Sequence, residues 1–278
     1  MNTLLFTALV WLGGGAAGLL GALTGLGGGV VIVPLLTLVF GVDIRYALGA
    51  SLVSVIATSS GAASAYVREG YSNIRIGMFL EIATTLGAIG GATLTTVLAP
   101  NVIAVIFGGV LLLSSYLSFR RPRDKPDCVP DRLTAWLRMD STYPTAEGKK
   151  HYHVRNATGG FGLMAVAGVL SGLLGIGSGA LKVLAMDMIM CLPFKVSTTT
   201  SNFMIGVTAA ASAGIYLGHG YIAPALAMPV VLGVLPGSML GSRLLGGASV
   251  RLLRRIFTLT ILALGIEMIY NGLSGGFR

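Results

Sequence analysis

Four charged side chains lie inside apolar stretches of this sequence, where a charge is costly and usually serves a function. Lys182 and Asp187 share one stretch, Glu81 lies in another, and Glu267 is expected near an external end with a structural role. Lys182 could neutralise a bound anion; the alternatives are that it pairs with Asp187 or extends to water. Glu81 and Asp187 are candidates for binding a coupling proton or cation, although Glu81 could also simply reach water.

Two glycine-rich runs precede short apolar stretches. They read GALTGLGGG over Gly21–Gly29 and GLLGIGSG over Gly172–Gly179. Glycine can break a helix within a membrane, and the free N–H groups at the broken end can hold an anion. Close helix packing through small residues is the alternative. The glycines predicted to contact a substrate are Gly25, Gly27, Gly28, Gly29, Gly175, Gly177 and Gly179.

Polar side chains open the long stretch that follows each short one. Ser51 lies in the first of these, and Thr200, Ser201 and Asn202 lie in the second. Hydroxyl and amide groups can donate hydrogen bonds to an oxyanion. Capping of the helix start is the alternative. We therefore treat all four residues as candidates for substrate binding.

The same residue types give no support for other classes of function. No arrangement typical of an active site is present, so no enzyme is predicted. Cys128 and Cys191 lack the spacing of a metal site, so neither a metal nor a cofactor is expected. The net charge is +9, but nine of the 19 basic residues fall between Arg120 and Arg155. Since most others flank apolar segments, the charge sets membrane orientation and does not predict nucleic-acid binding.

The elements that must position these residues are membrane helices. The chain is 54% hydrophobic and 10% charged, whereas a soluble domain has about 25% charged residues. The apolar segments run 3–24, 29–41, 46–67, 74–98, 101–119, 158–176, 179–191, 196–218, 221–245 and 252–273. We predict an all-α polytopic membrane protein in which the first two segments of each half form a glycine-rich hairpin. Its parts are an N-terminal repeat at 1–119, a linker at 120–157 and a C-terminal repeat at 158–278.

The two halves match each other with a constant shift of 150 residues and no gap over about 100 residues. Gly25 falls on Gly175, for example, and Ser51 on Ser201. Such register between apolar sequences is a strong sign of an internal repeat. Arg45 falls on Lys195, and this pair could attract an anion to the two mouths or simply flank the segments.

Loop charge predicts how the halves cross the membrane. The linker and the loops at 68–75 and 243–255 are rich in Lys and Arg, while the loops at 98–101 and 218–221 contain neither. Cytoplasmic loops carry such an excess. Equivalent loops therefore lie on opposite faces, which predicts inverted repeats. The linker is then cytoplasmic and both termini are periplasmic.

The first repeat resembles the sulfite exporter TauE/SafE family. The resemblance is carried by Gly25–Gly29 (GLGGG), Pro34 and Gly49-Ala50-Ser51, with Gly175–Gly179 and Thr199-Thr200-Ser201 as the second copy. It spans most of both halves but not the linker. Ala50 stands where the family usually has Thr, and Ser178 stands where it has Gly.

This resemblance implies a secondary transporter of sulfite, or of a sulfonate or thiosulfate-like anion, in the bacterial inner membrane. Alternating access is the implied mechanism and export the expected direction. Two other hypotheses stay open. One is a cation-coupled carrier using Glu81 and Asp187, and the other is a non-transporting sensor or assembly module acting through the linker. The expected partners are the anion and the bilayer, not nucleic acid, and a homodimer is left open.

Overall fold

The computed structural model describes residues 3–24, 28–68, 71–119, 131–145, 148–244 and 250–276. Helices form both repeats, which confirms the predicted class of fold. The N-terminal repeat contains α1 (Thr3–Thr24), α2 (Gly29–Pro34), α3 (Ile44–Arg68), α4 (Ile74–Val97) and α5 (Pro100–Phe119). The linker contains α6 (Arg132–Trp136), β1 (Ser141–Thr145) and β2 (Gly148–Tyr152). The C-terminal repeat contains α7 (Ala157–Leu174), α8 (Gly179–Leu184), α9 (Phe194–Gly218), α10 (Pro224–Leu244) and α11 (Val250–Leu273).

Four helices of the described chain are long and apolar enough to cross a membrane. They contain the segments Leu4–Gly21, Ile74–Val97, Ala157–Leu174 and Pro224–Gly241. Helices α3 and α9 are longer, at 25 residues each, but less apolar. A helix of that length extends about 37 Å, more than the hydrocarbon core of about 30 Å. The two pack against each other and against α10 and α4 respectively, so neighbouring helices cover much of their polar surface.

The fourth helix of each repeat packs against helices of the opposite repeat. Helix α4 packs against α7 and α9, while α10 packs against α1 and α3. Helix α5 packs against α11, and α3 against α9. Replacing every helix by its counterpart in the other half leaves this set of contacts unchanged. The packing is thus reciprocal, as two equivalent repeats require, while their inverted orientation stays a prediction.

Glycines make very close contacts between these helices, and they do so at positions that are 150 residues apart in the two repeats. Gly87 on α4 faces the carbonyl of Ala165 on α7, and Gly237 on α10 faces the carbonyl of Gly15 on α1. In both places a Cβ atom would overlap the carbonyl oxygen. Small residues let helix backbones approach this closely in a membrane. Each glycine thus fixes the packing of a helix onto the opposite repeat.

The two short segments have the same backbone. Helix α2 continues as a π-helical turn over Leu35–Val39, and α8 continues as one over Ala185–Ile189. Each segment therefore has 11 helical residues, about 16 Å at the α-helical rise. That length is well short of the bilayer core. Gly175 and Gly177, in the turn before α8, have φ of +62° and +72°, which explains why glycine occupies both positions.

The linker forms a structured cap against the membrane helices. Asn73, which caps α4, donates from its side-chain amide to the Met139 carbonyl at 3.0 Å and to the Tyr152 hydroxyl at 2.8 Å. Val154 and Met139 are buried in one cluster with α4 and α9. The Arg155 N–H donates to the Met190 carbonyl, after the second short segment. The cap therefore binds elements of both repeats.

Candidate functional site

Two short hydrogen bonds join Glu81, Thr208 and Lys182 in the helical core. The Lys182 ammonium donates to Thr208 Oγ1 at 2.6 Å, and Thr208 Oγ1 donates to Glu81 Oε1 at 2.6 Å. Thr85 Oγ1 donates to the same carboxylate oxygen at 3.1 Å. Because a hydroxyl both accepts and donates, Thr208 can bridge a cation and an anion. We call Glu81, Thr208 and Lys182 the buried triad.

The buried triad connects the two repeats. Glu81 comes from α4, Lys182 from α8 and Thr208 from α9. Lys182 and Thr208 are each 0% exposed, and Glu81 is 8% exposed. The second carboxylate oxygen, Glu81 Oε2, is buried without a hydrogen-bond partner in the described part of the chain. Since buried polar atoms rarely lack a partner, this oxygen marks a place for a proton or a bound group.

The Lys182 ammonium donates to Thr208, which in turn donates to the Glu81 carboxylate. Asp187, the alternative partner considered from the sequence, is half-buried in the π-helical turn that follows α8. The described contacts of Lys182 therefore bring it to Glu81 through Thr208.

Thr208 is the member of the buried triad that sequence reasoning missed. It lies on α9 in a row with Thr200, Met204 and Ser212, spaced four residues apart and all buried. Residues at this spacing share one face of a helix. A row on one face in which three of four residues carry a hydroxyl is the pattern that could have identified it.

The predicted oxyanion donors are buried, but most already bind the protein. Ser51 Oγ donates to the Gly175 carbonyl at 2.7 Å, and Ser201 Oγ donates to the Gly179 carbonyl at 3.4 Å. The Thr200 hydroxyl accepts from the Asn73 N–H at 3.0 Å. The first two bonds hold α3 and α9 against the second glycine-rich run, and the third joins α9 to the start of α4. A substrate would have to replace them.

Asn202 differs from the other predicted donors. Its side chain is 8% exposed, and it makes no hydrogen bond to any residue that the structure describes. Its amide carries two donors and one acceptor oxygen, and no described side chain or backbone group binds them. Asn202 is therefore free to bind a group that enters the core.

The glycine-rich turns meet at the interface between the repeats. Gly29 lies against Ser51 and the Gly175 carbonyl, and Gly177 lies against Val55 and Ile205. Gly28 precedes α2 and Gly179 begins α8. The predicted residues Gly25 and Gly27 lie outside the described part of the chain.

A cavity of about 10 Å³ lies between α2, α5 and the turn before α8. It is lined in part by Val30, Ser114 and Ser178. Ser178 Oγ is buried and has no hydrogen-bond partner among described residues. This volume holds about one water molecule. The interface is closed here, and a larger anion needs the two repeats to separate.

Arg45 and Lys195 make equivalent contacts with the opposite repeat. Arg45 lies over the ring of Tyr221 at 5.7 Å, and Lys195 lies over the ring of Tyr71 at 4.1 Å. Both the cations and the tyrosines are related by the shift of 150 residues. Arg45 also donates to the Leu98 carbonyl at 2.9 Å and is half-buried, whereas Lys195 is exposed.

Comparisons with known proteins give one family and a set of membrane transporters. The family model described as sulfite exporter TauE/SafE matches residues 10–268. The probable membrane transporter protein YunE of Bacillus subtilis (strain 168) is 28% identical over 264 residues, 92% of this chain and 95% of that protein. YdhB of the same strain, also called a probable membrane transporter protein, is 27% identical over 223 residues, 79% and 82% of the two chains. A probable membrane transporter protein of Xylella fastidiosa (strain 9a5c) is 27% identical over 263 residues, 92% and 94% of the two chains. No solved structure gives a significant match.

Proposed function

Since the chain belongs to the sulfite exporter TauE/SafE family and its relatives are called membrane transporters, we propose that it moves a small sulfur-containing anion across the bacterial inner membrane. Sulfite, thiosulfate and sulfonates are the substrate class, and export is the direction proposed. The single observation that carries the proposal is Lys182, a fully buried cation between two repeats. Its ammonium reaches the Glu81 carboxylate through Thr208, and an anionic substrate would take the place of that carboxylate.

The anion would bind at Lys182 between the two glycine-rich turns. Asn202 supplies an unused amide, and Thr200, Ser51 and Ser201 supply hydroxyls as the repeats separate. Each hydrogen bond to the oxyanion replaces one that it made to water. Backbone N–H groups of Gly25, Gly27, Gly28, Gly29, Gly175, Gly177 and Gly179 belong to the same proposed site.

Alternating access would follow from the reciprocal packing. Inverted repeats can exchange conformations and so open a central site to each face in turn. Arg45 and Lys195 would lie at opposite mouths and attract the anion. The linker cap would then lie in the cytoplasm and both termini in the periplasm. Accessibility of single cysteines at Lys149 and Asn101 to an impermeant reagent tests this orientation, with only the first labelled from the cytoplasmic face.

A flux assay tests the function. Liposomes that contain the purified protein should release sulfite, thiosulfate or methanesulfonate at least 10-fold faster than protein-free liposomes loaded with the same anion. Lys182→Met should remove this flux, because the anion loses its counter-charge. Lys150→Met is the matched control, since Lys150 is exposed on β2, and it should keep the flux. If none of the three anions moves, the proposal is wrong.

A cation-coupled carrier of another substrate is the second candidate, favoured by the unpartnered oxygen Glu81 Oε2. In that case Glu81→Gln and Asp187→Asn abolish transport, and Lys182→Met has little direct effect on the cation. A sensor that acts through the linker is the remaining candidate, and it predicts a different result. Replacing the exposed cap residues Trp136 and Lys149 with alanine should abolish the response of a sensor and leave the flux of a carrier unchanged.

A further inference from the structure

The buried triad contains one negative charge, the Glu81 carboxylate, which a bound substrate anion would replace as the partner of Lys182. Lys182 is bound through Thr208 to Glu81, and all three side chains are more than nine-tenths buried. An incoming anion that binds Lys182 takes the place of the Glu81 carboxylate. Glu81 would then be a buried carboxylate without its cation, which is strongly unfavourable.

We propose that Glu81 takes up one proton whenever the anion binds Lys182, so that the protein carries one proton with each anion. This inference rests on the proposed function. The proton comes from water on the side where the anion enters, and an O–H bond forms at the Glu81 carboxylate. On release of the anion, Glu81 gives up the proton and returns to Lys182 through Thr208.

The unpartnered oxygen supports this step. Glu81 Oε1 accepts from Thr208 and Thr85, while Oε2 is buried without a partner among the described residues. An oxygen with no donor directed at it is the one that can hold the proton. Protonation there leaves the hydrogen bonds at Oε1 in place.

Among the described residues, few other titratable groups lie near Glu81. Helix α7, which packs against α4, has no titratable side chain. On α9, Lys195 lies at the ring of Tyr71, and Tyr216 donates to Thr95 near the other end of α4. Lys182 on α8 reaches Glu81 through Thr208, and Asp187 follows Lys182 by five residues. Lys182 is therefore the charge that responds most directly to the state of Glu81.

The charge balance has a measurable consequence. The empty site contains Lys182 as a cation and Glu81 as an anion, and the loaded site contains Lys182, the anion and a neutral Glu81. Both states are neutral for a monovalent anion. Membrane potential should therefore have no effect on net transport of that anion, whereas a proton gradient should drive it.

Methanesulfonate, a monovalent anion that does not titrate near neutral pH, is the probe. In liposomes of clamped potential, the wild type should balance a 10-fold anion gradient with a 10-fold opposing proton gradient, and potential should have no effect. Glu81→Gln cannot take up the proton, so a potential of about 59 mV should balance the same gradient. The control Glu267→Gln, which changes an exposed acid on α11, should behave as the wild type.

Each outcome decides between the two proposals. If thiosulfate is carried instead of methanesulfonate, Glu81→Gln should move one more negative charge per anion than the wild type. Should Glu81→Gln fail to fold, Glu81→Asp keeps the carboxyl group and should keep the proton coupling. The wild type alone already gives the number of protons carried per anion. A wild type that transports but needs about 59 mV for a monovalent anion overturns the proton step and leaves the transport function intact. No flux of any of the three anions contradicts the function itself.

Discussion

The two short segments, Gly29–Val39 and Gly179–Ile189, have the same backbone and different chemistry. Each has six α-helical residues followed by five π-helical ones. At equivalent positions one places Ile32 in the core and the other places Lys182, and both are 0% exposed. The repeat therefore preserves the scaffold, while the buried charge belongs to one copy.

The positions around this pair differ in the same way. Thr208 bridges two charges, while its counterpart Thr58 donates to the Val55 carbonyl of its own helix at 3.1 Å. Glu81 has Val231 as its counterpart. The C-terminal segment thus has a polar partner at each point where the N-terminal one has an apolar neighbour or a backbone carbonyl.

Transplanting the charges is the strongest test of this comparison. Ile32→Lys alone should lower the free energy of unfolding by about 3–5 kcal/mol, because it buries a cation without an acid. Adding Val231→Glu should recover at least half of that loss, since the repeat places it where Glu81 lies. Thermal unfolding in detergent measures both. No recovery in the double variant would show that the two sites are not equivalent in space.

Removing the native charges should give the next largest effect. Lys182→Met and Glu81→Gln each leave one buried charge or polar group without its partner, and the double variant leaves neither charge. We expect a coupling free energy of about 2–3 kcal/mol between the two substitutions. A double-mutant cycle of thermal unfolding measures it. Additive effects would mean that Thr208 does not connect the two groups energetically.

Thr208 should matter more than its counterpart. Thr208→Val removes the bridge between two buried charges and should cost about 1–3 kcal/mol. Thr58→Val removes a bond to its own helix and should cost well under 1 kcal/mol. Thr208→Ser keeps the hydroxyl and should restore most of the stability and flux. Equal effects of the two valine variants would contradict a special role for Thr208.

The two mouths should show the smallest difference. Arg45→Ala removes a half-buried cation with a hydrogen bond to Leu98, and should cost about 1–2 kcal/mol. Lys195→Ala removes an exposed contact with Tyr71, and should cost about 0.5 kcal/mol. The unfolding temperatures of both variants show which substitution destabilises the protein more. A larger loss for Lys195→Ala would contradict this prediction.

Apolar length and glycine spacing predict most of this fold. The helices begin and end within a few residues of the predicted segments, because long apolar runs must form helices in a bilayer. The linker is harder to predict, since Pro144 lies within β1 and argues against a strand. Its hairpin depends on contacts of Tyr152 and Met139 with distant helices.

The candidate site was predicted only in part. Lys182 and Glu81 are identifiable because charges are rare in apolar segments. Their connection is not, since it depends on how α4, α8 and α9 cross. Ser51 and Ser201 illustrate the reverse case, as equivalent hydroxyls whose described bonds go to backbone carbonyls. Periodicity gives the face of a helix but not the atom that the face meets.

A structure of the protein with bound selenite tests the central claim most directly, because selenium marks the position of a sulfite-like anion by its anomalous scattering. We expect selenium density beside the Lys182 ammonium, within reach of Asn202, and none beside Ile32. Density at the N-terminal segment, or no density at saturating selenite, would contradict an anion site built by Lys182.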